Sequence, residues 1–360
     1  MYTRFGDNDI VTRQAQELVT STWSNNVNNL QVGFTSSVQA VFTSPTSSGQ
    51  FFIEVYDKAV DSAGGHTADA TTEVQYAVSY GHKAGTGSND FTNDTGSFGL
   101  GATRVIYNQY RQLHYNDDTQ LMTFGTHPPD DFFVININRS RYKQRLTLGS
   151  LDLHISGTAF GQTTATNKII KLTDDSVTNP NGVGTSNLGT YYNIVSGSKG
   201  VVSGSATNQL GGSGSFGHFY PEAGLIILNG DMFSGSKGSS GNIIGTGSGG
   251  PATNTDRNHQ KLFQHITGAG NFIVDTTEEI NSQFYFCRVR NDQYNYTNNE
   301  SFVDNNKNIR FETMKLNPKV FITTVGLYND TFELMGIAKL SQPIAKDFTK
   351  EAMIRVKLDY

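Results

Sequence analysis

The chain is short of cysteine, of charge and of long apolar runs, and each shortage excludes a class of protein. A single cysteine among 360 residues excludes an internal disulfide framework and every multi-cysteine zinc or iron–sulfur site. Charged residues make up only 16%, against about 25% in typical soluble domains. The net charge of −5 gives no cationic surface for generic nucleic-acid binding. No stretch of about 18 apolar residues occurs, and Met1–Asp9 lacks a signal-peptide pattern, so we expect neither a membrane-spanning helix nor signal-directed export.

Polar uncharged residues, glycine and aromatic residues take the place of charge. The chain has 38 glycines, 16 tyrosines and 23 phenylalanines. Enough large apolar surface is therefore available to build a core, which argues against disorder. The composition predicts a folded, turn-rich protein of low charge.

Alternation of apolar and small or polar residues is the main secondary-structure signal. Val74, Tyr76, Val78 and Tyr80 alternate in this way, as expected for one face of a strand. Further strands are predicted at 51–56, 132–138, 151–155, 224–230, 284–290, 320–325, 333–340 and 352–360. We therefore expect a mainly β fold of antiparallel sheets, sandwich or barrel-like, with a few short helices and long Gly/Ser/Asn-rich loops.

Helical spacing is found at three places. Val11, Ala15, Leu18 and Val19 follow Asp9, a suitable N-cap, and predict a short helix at the start of the chain. Two further helices are predicted at 102–113 and 259–266. Together with the Gly/Ser/Thr-rich composition of the middle of the chain, these patterns divide it into an N-terminal β-rich domain (1–160), a Gly/Ser/Thr-rich region with one strand (161–255) and a C-terminal β domain (256–360).

Sequence motifs for catalysis or cofactor binding are weak. Two segments, Gly212–Gly217 and Gly245–Gly250, match the glycine pattern of dinucleotide sites, but neither is followed by a helix signal. Histidines are scattered without metal-ligand spacing. Acidic pairs occur in polar segments, and a glycoside hydrolase would need two carboxylates that face each other across a cleft. Mid-strand placement of Cys287 predicts a packed or half-exposed thiol rather than a nucleophile. We expect no enzyme activity, no cofactor and no metal.

One basic run is the most concentrated charge in the chain. It contains Arg139, Arg141, Lys143 and Arg145 at alternate positions. Such a run is typical either of solvated cations at the end of a strand or of a contact patch for an acidic protein surface. We take these four residues as a candidate protein-contact patch.

Several segments resemble virion structural proteins of large contractile-tailed bacteriophages, particularly those that infect cyanobacteria and marine bacteria. The segments are Phe132–Lys143, Phe219–Asn229, Asn317–Asn329, Ile337–Ile344 and Ile354–Tyr360, and the likeness covers roughly residues 130–360. These are strand-and-turn motifs, so the resemblance implies a family and a location in the virion, not a chemistry. No functional residue carries over from it.

The resemblance and the composition together predict an assembly subunit in the tail, baseplate or neck. Its partners would be other copies of itself and neighbouring virion proteins, with no nucleic acid, membrane or small-molecule cofactor, and it would be made in the host cytoplasm. Low charge and many aromatic residues suit wide protein–protein interfaces.

Three alternatives remain open. A host-recognition adhesin would stack sugar rings on Tyr191, Tyr192, Tyr294 and Tyr296. A capsid-associated structural protein would use the same kind of interface elsewhere in the particle. An envelope-degrading hydrolase would need converging carboxylates.

Overall fold

The computed structural model describes residues 3–30, 34–44, 47–58, 71–85, 102–125, 128–157, 168–203, 215–232, 258–296 and 300–360. The chain forms two compact units. The smaller combines Met1–Glu17 with Glu279–Tyr360, and the larger is Leu18–Glu278.

The fold is mainly β with antiparallel sheets, as the sequence predicts. The strands are β1 Ile10–Ser21, β2 Phe34–Ser44, β3 Ser47–Tyr56, β4 Val74–His82, β5 Asp131–Ile137, β6 Arg145–Leu146, β7 Asp152–Gly157, β8 Lys168–Asp174, β9 Gly184–Ser186, β10 Gly189–Ser198, β11 Val201–Val202, β12 Gly217–Tyr220, β13 Leu225–Asn229, β14 Phe272–Ile273, β15 Asp275–Val289, β16 Val320–Tyr328, β17 Leu334–Lys346 and β18 Ala352–Asp359. The α-helices are α1 Ala102–Tyr115, α2 Asn258–Ala269 and α3 Thr313–Leu316.

The larger unit contains a twelve-stranded sheet that curls into a half-barrel. Its strand order is β14-β7-β8-β10-β12-β13-β5-β4-β3-β2, with β9 and β11 also paired to β10. The central strand β13 is buried at every position from Leu225 to Asn229. A strand with both faces covered has a continuous apolar run, which is why Leu-Ile-Ile-Leu predicts it so clearly.

Two apolar clusters lie on opposite faces of β5. Phe132 and Val134 pack with Ile106, Tyr107 and Tyr110 of α1, and the rings of Tyr107 and Phe132 stack with centroids 5.0 Å apart. Because successive strand side chains point to opposite faces, the residues between them enter the other cluster. That cluster contains Phe133, Ile135 and Ile137, and it also contains Leu262 and Ile266 of α2. The predicted helices at 102–113 and 259–266 are confirmed.

The smaller unit contains strands of the β1-β15-β18 sheet and the β16–β17 hairpin, with one apolar cluster. β15 pairs antiparallel with β18 from Ser282↔Asp359 to Val289↔Ala352, and β16 pairs with β17. Alternate residues of β18, Ile354 and Val356, are buried in a cluster that includes Leu327 of β16. The predicted C-terminal strand, half-buried along one face, is therefore confirmed.

The predicted opening helix is wrong, because Ile10–Ser21 forms strand β1. β1 lies beside β15 at the edge of a sheet of order β1-β15-β18. The helical spacing of Val11, Ala15, Leu18 and Val19 places these residues on both faces of a strand, and backbone pairing with β15 decides the conformation against the local pattern.

The two compact units do not coincide with the three regions predicted from the sequence, which are divided at residues 160 and 255. β7 and β8 pair antiparallel on either side of residue 160, from Leu153↔Leu172 to Gly157↔Lys168. The Gly/Ser/Thr-rich region contributes β8, β10 and β12 to the large sheet, in addition to the expected strand at 224–230. A change in composition therefore marks no break in hydrogen bonding here.

Candidate functional site

A cluster of exposed apolar side chains lies at the turn end of the β16–β17 hairpin. The register pairs Gly326 with Ile337 and Tyr328 with Leu334, and it shifts between Leu327 and Tyr328. We call Tyr328, Phe332, Leu334, Met335 and Ile337 the hairpin tip; their exposed fractions are 43%, 65%, 48%, 68% and 59%. The opposite face of the hairpin supplies Ile322, Val325 and Leu327 to the core. The tip therefore presents apolar surface on the face that the core does not use.

Glycine at position 326 shapes this surface. A Cβ there would lie 2.9 Å from the Tyr328 ring and 3.5 Å from Cδ1 of Leu334, so the two side chains converge over the bare backbone. Ile337 is the cross-strand neighbour of Gly326. Tyr328, Leu334 and Ile337 thus form one apolar patch around Gly326, and Phe332 and Met335 are exposed in the same turn region.

The hairpin turn is held by the Asn329 side chain. Its Oδ1 accepts hydrogen bonds from the backbone N–H of Thr331 at 3.1 Å and of Glu333 at 2.8 Å, and its Nδ2 donates to Glu333 Oε2 at 2.8 Å. These bonds fix Phe332 at a φ of 63°, which is uncommon for a bulky residue. An exposed phenylalanine held in a strained conformation is typical of a functional position.

The candidate contact patch is only partly available to a partner. Asn138 Oδ1 accepts from the N–H of Ser140 at 3.0 Å and opens a short 3-10 helix, Arg139–Arg141. The Arg141 guanidinium forms an ion pair with Glu73, and Arg145 is half-buried in β6. Lys143 is exposed, and its backbone N–H donates to Thr276 Oγ1 at 2.7 Å. Of the four residues, Arg139 and Lys143 are the exposed pair.

Arg139 is anchored through Tyr142. Its guanidinium donates to the Tyr142 carbonyl at 2.6 Å and stands 4.6 Å from the centre of the Tyr142 ring. The ring in turn packs on Gly224, where an added Cβ would lie 2.6 Å from it. Gly224 has a φ of 66° and accepts from the N–H of Ile137 at 2.9 Å. The basic turn is therefore fixed to the loop before β13.

Two buried histidines lie in an aromatic cluster in the larger unit. The Tyr220 hydroxyl is 2.9 Å from Nδ1 of His114 and 3.5 Å from Nδ1 of His218. Burial lowers the pKa of His114 to about 4, and burial followed by repulsion from His114 lowers the pKa of His218 to about 3. Burial also raises the pKa of Tyr220. All three groups are neutral near pH 7, so the cluster is a hydrogen-bonded core element without charge.

At three of the acidic pairs, 117–118, 130–131 and 174–175, carboxylates accept hydrogen bonds from the chain itself. Asp131 accepts from the Tyr80 hydroxyl at 3.0 Å, Asp174 accepts from the N–H of Gly149 at 2.8 Å, and Asp175 accepts from the N–H of Asn193 at 2.9 Å. Asp117 accepts from the N–H of Thr119 at 2.7 Å. Within the described ranges, no group of three or more His, Cys, Asp or Glu residues is arranged to hold a metal ion.

An open cleft lies along α1 in the larger unit, with a volume of about 700 Å³. Lys83, Arg104 and Arg111 line it together with Asp118. Lys83 also forms an ion pair with Asp130. With Asp130 paired to Lys83, two arginines and one carboxylate remain along the cleft, a small excess of positive charge.

The tyrosines considered for sugar stacking differ in exposure. Tyr192 is buried, and its hydroxyl donates to the Pro180 carbonyl at 3.2 Å. The half-buried ring of Tyr191 packs against His218, with centroids 4.7 Å apart. In the smaller unit, Tyr294 and Tyr296 are exposed. A sugar ring could therefore reach the second pair more readily than the first.

Gly217, the last glycine of the first dinucleotide-like motif, has a packing role. It lies in β12, opposite Ile194 of β10 and Leu228 of β13. A Cβ at this position would lie 2.1 Å from the Ile227 carbonyl oxygen. Gly212 and Gly214, and the whole of the second motif at 245–250, lie outside the described residues. Cys287 is half-buried, as predicted, and burial raises the pKa of its thiol.

None of the helices in the described part of the chain is long and apolar enough to cross a membrane. No family model, no curated protein and no solved structure matches the chain.

Proposed function

We propose that this chain is a structural assembly subunit of a tailed-bacteriophage virion, located in the tail, baseplate or neck, and that it acts through protein–protein interfaces. The observation that carries the proposal is the hairpin tip, an apolar patch on the hairpin face opposite the core. Contiguous exposed apolar patches mark interaction sites in soluble proteins. The phage location rests on the sequence resemblance over residues 130–360.

The geometry of the tip suits a contact that buries aromatic and aliphatic anchors. Phe332 and Tyr328 are aromatic, and such residues are enriched among the side chains that dominate binding energy. Because Asn329 fixes the turn, little backbone conformational entropy would be lost when Phe332 is covered. A preorganised anchor of this kind is expected of a subunit that assembles, and it has no obvious use in an isolated protein.

Two experiments test the proposal. Mass spectrometry of purified particles of the encoding phage should detect the polypeptide at a constant ratio to the other virion proteins; its absence overturns the proposal. In sedimentation velocity of the purified full chain alone and mixed with virion proteins, Ile337→Lys should weaken association, because it places a charge within the patch, opposite Gly326. The matched control is Lys339→Gln, an exposed polar position two residues further along β17.

A glycan-binding tail adhesin is the second candidate. Tyr294 has a φ of 57°, and Tyr296, two residues later, is 55% exposed. Exposed rings on a fixed loop can stack on the apolar face of a sugar. Binding of the purified chain to host cells or to a glycan array, lost in Tyr296→Ala and retained in Ile337→Lys, would favour this function over assembly.

A further inference from the structure

Strand β1 is an exposed sheet edge. In the sheet of order β1-β15-β18 it has one neighbouring strand among the described residues, β15, so the other edge of its backbone has no partner strand there. It is 12 residues long, and every side chain described from Ile10 to Thr20 is exposed. Four of these are large and apolar: Ile10, Val11, Leu18 and Val19.

Monomeric proteins protect such edges, and β1 carries little protection. Natural edge strands are kept short or carry proline, lysine or bulges, because an uncovered edge is a template for another strand. β1 contains no proline and only two charged residues, Arg13 and Glu17, which have opposite signs. The edge therefore has the length and the composition to pair.

The sequence of β1 is symmetric in chemistry about Ala15. Reading outward from Ala15 at every second position, Arg13 and Glu17 are the first pair, and Val11 and Val19 are the second. When a strand pairs antiparallel with a copy of itself, residues equidistant from the centre of the pairing lie opposite each other. The symmetric sequence is therefore complementary to itself.

We propose that β1 pairs antiparallel with β1 of a second copy of this chain, centred on Ala15. In this register Arg13 lies opposite the second copy's Glu17, and Glu17 lies opposite its Arg13, so the interface contains the same ion pair twice. Val11 lies opposite Val19 at both ends. The result is an isologous two-fold contact that continues the sheet through both copies.

Charge complementarity selects this register over its neighbours. A shift of one residue moves the side chains to opposite faces, so Arg13 and Glu17 no longer share a pair. A shift of two residues in one direction places Arg13 opposite Ala15, and a shift in the other direction places it opposite Val19. The Ala15-centred register alone gives two opposite-charge pairs, and cross-strand pairs are the units that stabilise a sheet.

The symmetry also identifies the partner. Because the pattern complements itself, a second copy of the chain supplies a matching strand, and we take a second copy as the occupant. The inference deepens the proposed function, on which it rests for the premise that the chain assembles.

Charge reversal tests the register. In analytical ultracentrifugation of the full chain, Arg13→Glu and Glu17→Arg should each weaken the dimer by about tenfold or more, because each variant places like charges opposite each other twice. The double variant, R13E with E17R, restores both pairs with exchanged signs and should recover affinity to within about threefold of the wild type. A monomeric wild type at high concentration, or a double variant as weak as the singles, overturns the proposal.

Disulfide trapping tests the centre of the pairing without changing charge. In a Cys287→Ser background, Ala15→Cys should give a covalent dimer under mild oxidation, because opposite residues of antiparallel strands have Cα atoms about 4.5 to 5.5 Å apart, within disulfide range. Val11→Cys is the matched control, since its two copies would lie eight residues apart along the ladder, roughly 27 Å. Failure of Ala15→Cys to cross-link, or equal cross-linking of Val11→Cys, overturns the proposal.

The two levels of proposal fail differently. Self-association that survives Arg13→Glu but is lost in Ile337→Lys overturns the β1 contact and leaves the assembly function supported. A chain that is absent from purified particles but forms the Ala15-centred dimer overturns the virion function and supports the β1 contact.

Discussion

The backbone N–H of Phe332 donates to the carbonyl of Asn329 at 3.1 Å, and Phe332 holds this position with a φ of 63°. A left-handed conformation costs a residue other than glycine about 1 to 2 kcal/mol. Because the side chain is 65% exposed, its burial offsets little of that cost. The turn conformation therefore exposes the Phe332 ring and lowers the stability of the isolated chain.

Replacement of Phe332 by glycine should separate these two effects. Glycine relieves the left-handed strain but loses about 0.5 to 1 kcal/mol more conformational entropy on folding, so the free energy of unfolding should stay the same or rise by up to about 1 kcal/mol. Association should nevertheless become weaker. Urea unfolding and sedimentation velocity measure the two quantities. A variant that is less stable by more than about 1 kcal/mol would show that the ring stabilises the turn itself.

The buried histidines predict a loss of stability in acid. The unfolded chain binds protons near the ordinary histidine pKa of 6.5, whereas the folded chain does so only near pH 4 at His114 and pH 3 at His218. The unfolded state therefore binds more protons below pH 6.5. Stability should be full above about pH 7 and fall as the pH drops from 6.5 towards 3, by up to about 1.4 kcal/mol per pH unit for each histidine.

His218→Phe keeps an aromatic ring against Phe124 and Tyr191 and removes one of the buried histidines whose pKa is lowered. It should reduce the slope of stability against pH between 6 and 4, by up to about 1.4 kcal/mol per pH unit. His154→Gln is the control, because the opposing charge of Asp152 limits the lowering of the His154 pKa by burial. Urea unfolding at several pH values gives the slopes, and an unchanged slope in His218→Phe would contradict the assignment.

Gly217→Ala should be among the most destabilising single changes in the larger unit. The added Cβ would lie 2.1 Å from the Ile227 carbonyl oxygen, so β12 and β13 would have to separate. We expect a loss of about 3 kcal/mol or more, or failure to fold. Gly336→Ala is a matched control, because its Cβ would meet only Leu358, at 3.9 Å. Equal stabilities of the two variants would refute the packing role of Gly217.

The basic run gives a paired test of the contact patch. Lys143→Glu changes an exposed side chain, so stability should stay within about 0.5 kcal/mol while association with neighbouring proteins falls. Arg141→Gln removes the ion pair with Glu73, which should cost no more than about 1 kcal/mol of stability and leave association intact. Co-sedimentation with virion proteins measures association, and loss in Arg141→Gln alone would contradict the assignment.

Sequence patterns predict those strands that are buried on both faces or on one face with strict alternation. The run at 225–228 and the alternation at 74–80 both predict their strands, because the apolar pattern follows burial directly. β8 and β10 are not predicted from the sequence. In β10 the cause is a high content of glycine, serine and threonine together with mostly partial burial, which leaves no clear apolar pattern. β1 is predicted as a helix because its local spacing suits one, whereas its pairing partner, β15, is more than 250 residues away in sequence.

The hairpin tip could not be predicted as a site from sequence. Leu334 and Ile337 belong to an apolar run like those that fill the core, and nothing in that pattern distinguishes the outer face of a hairpin from the inner one. The sequence does contain one local signal, the segment Asn329-Asp-Thr-Phe-Glu333, in which an asparagine opens a turn that contains an aromatic residue.

Contact between Gly224 and the Tyr142 ring limits how this chain can change over evolutionary time. Any side chain at position 224 meets the ring, which supports Arg139, and it would also be strained by the φ of 66° there. Glycine should therefore persist at 224 in divergent descendants, and a change of Tyr142 should coincide with the loss of selection for arginine at 139.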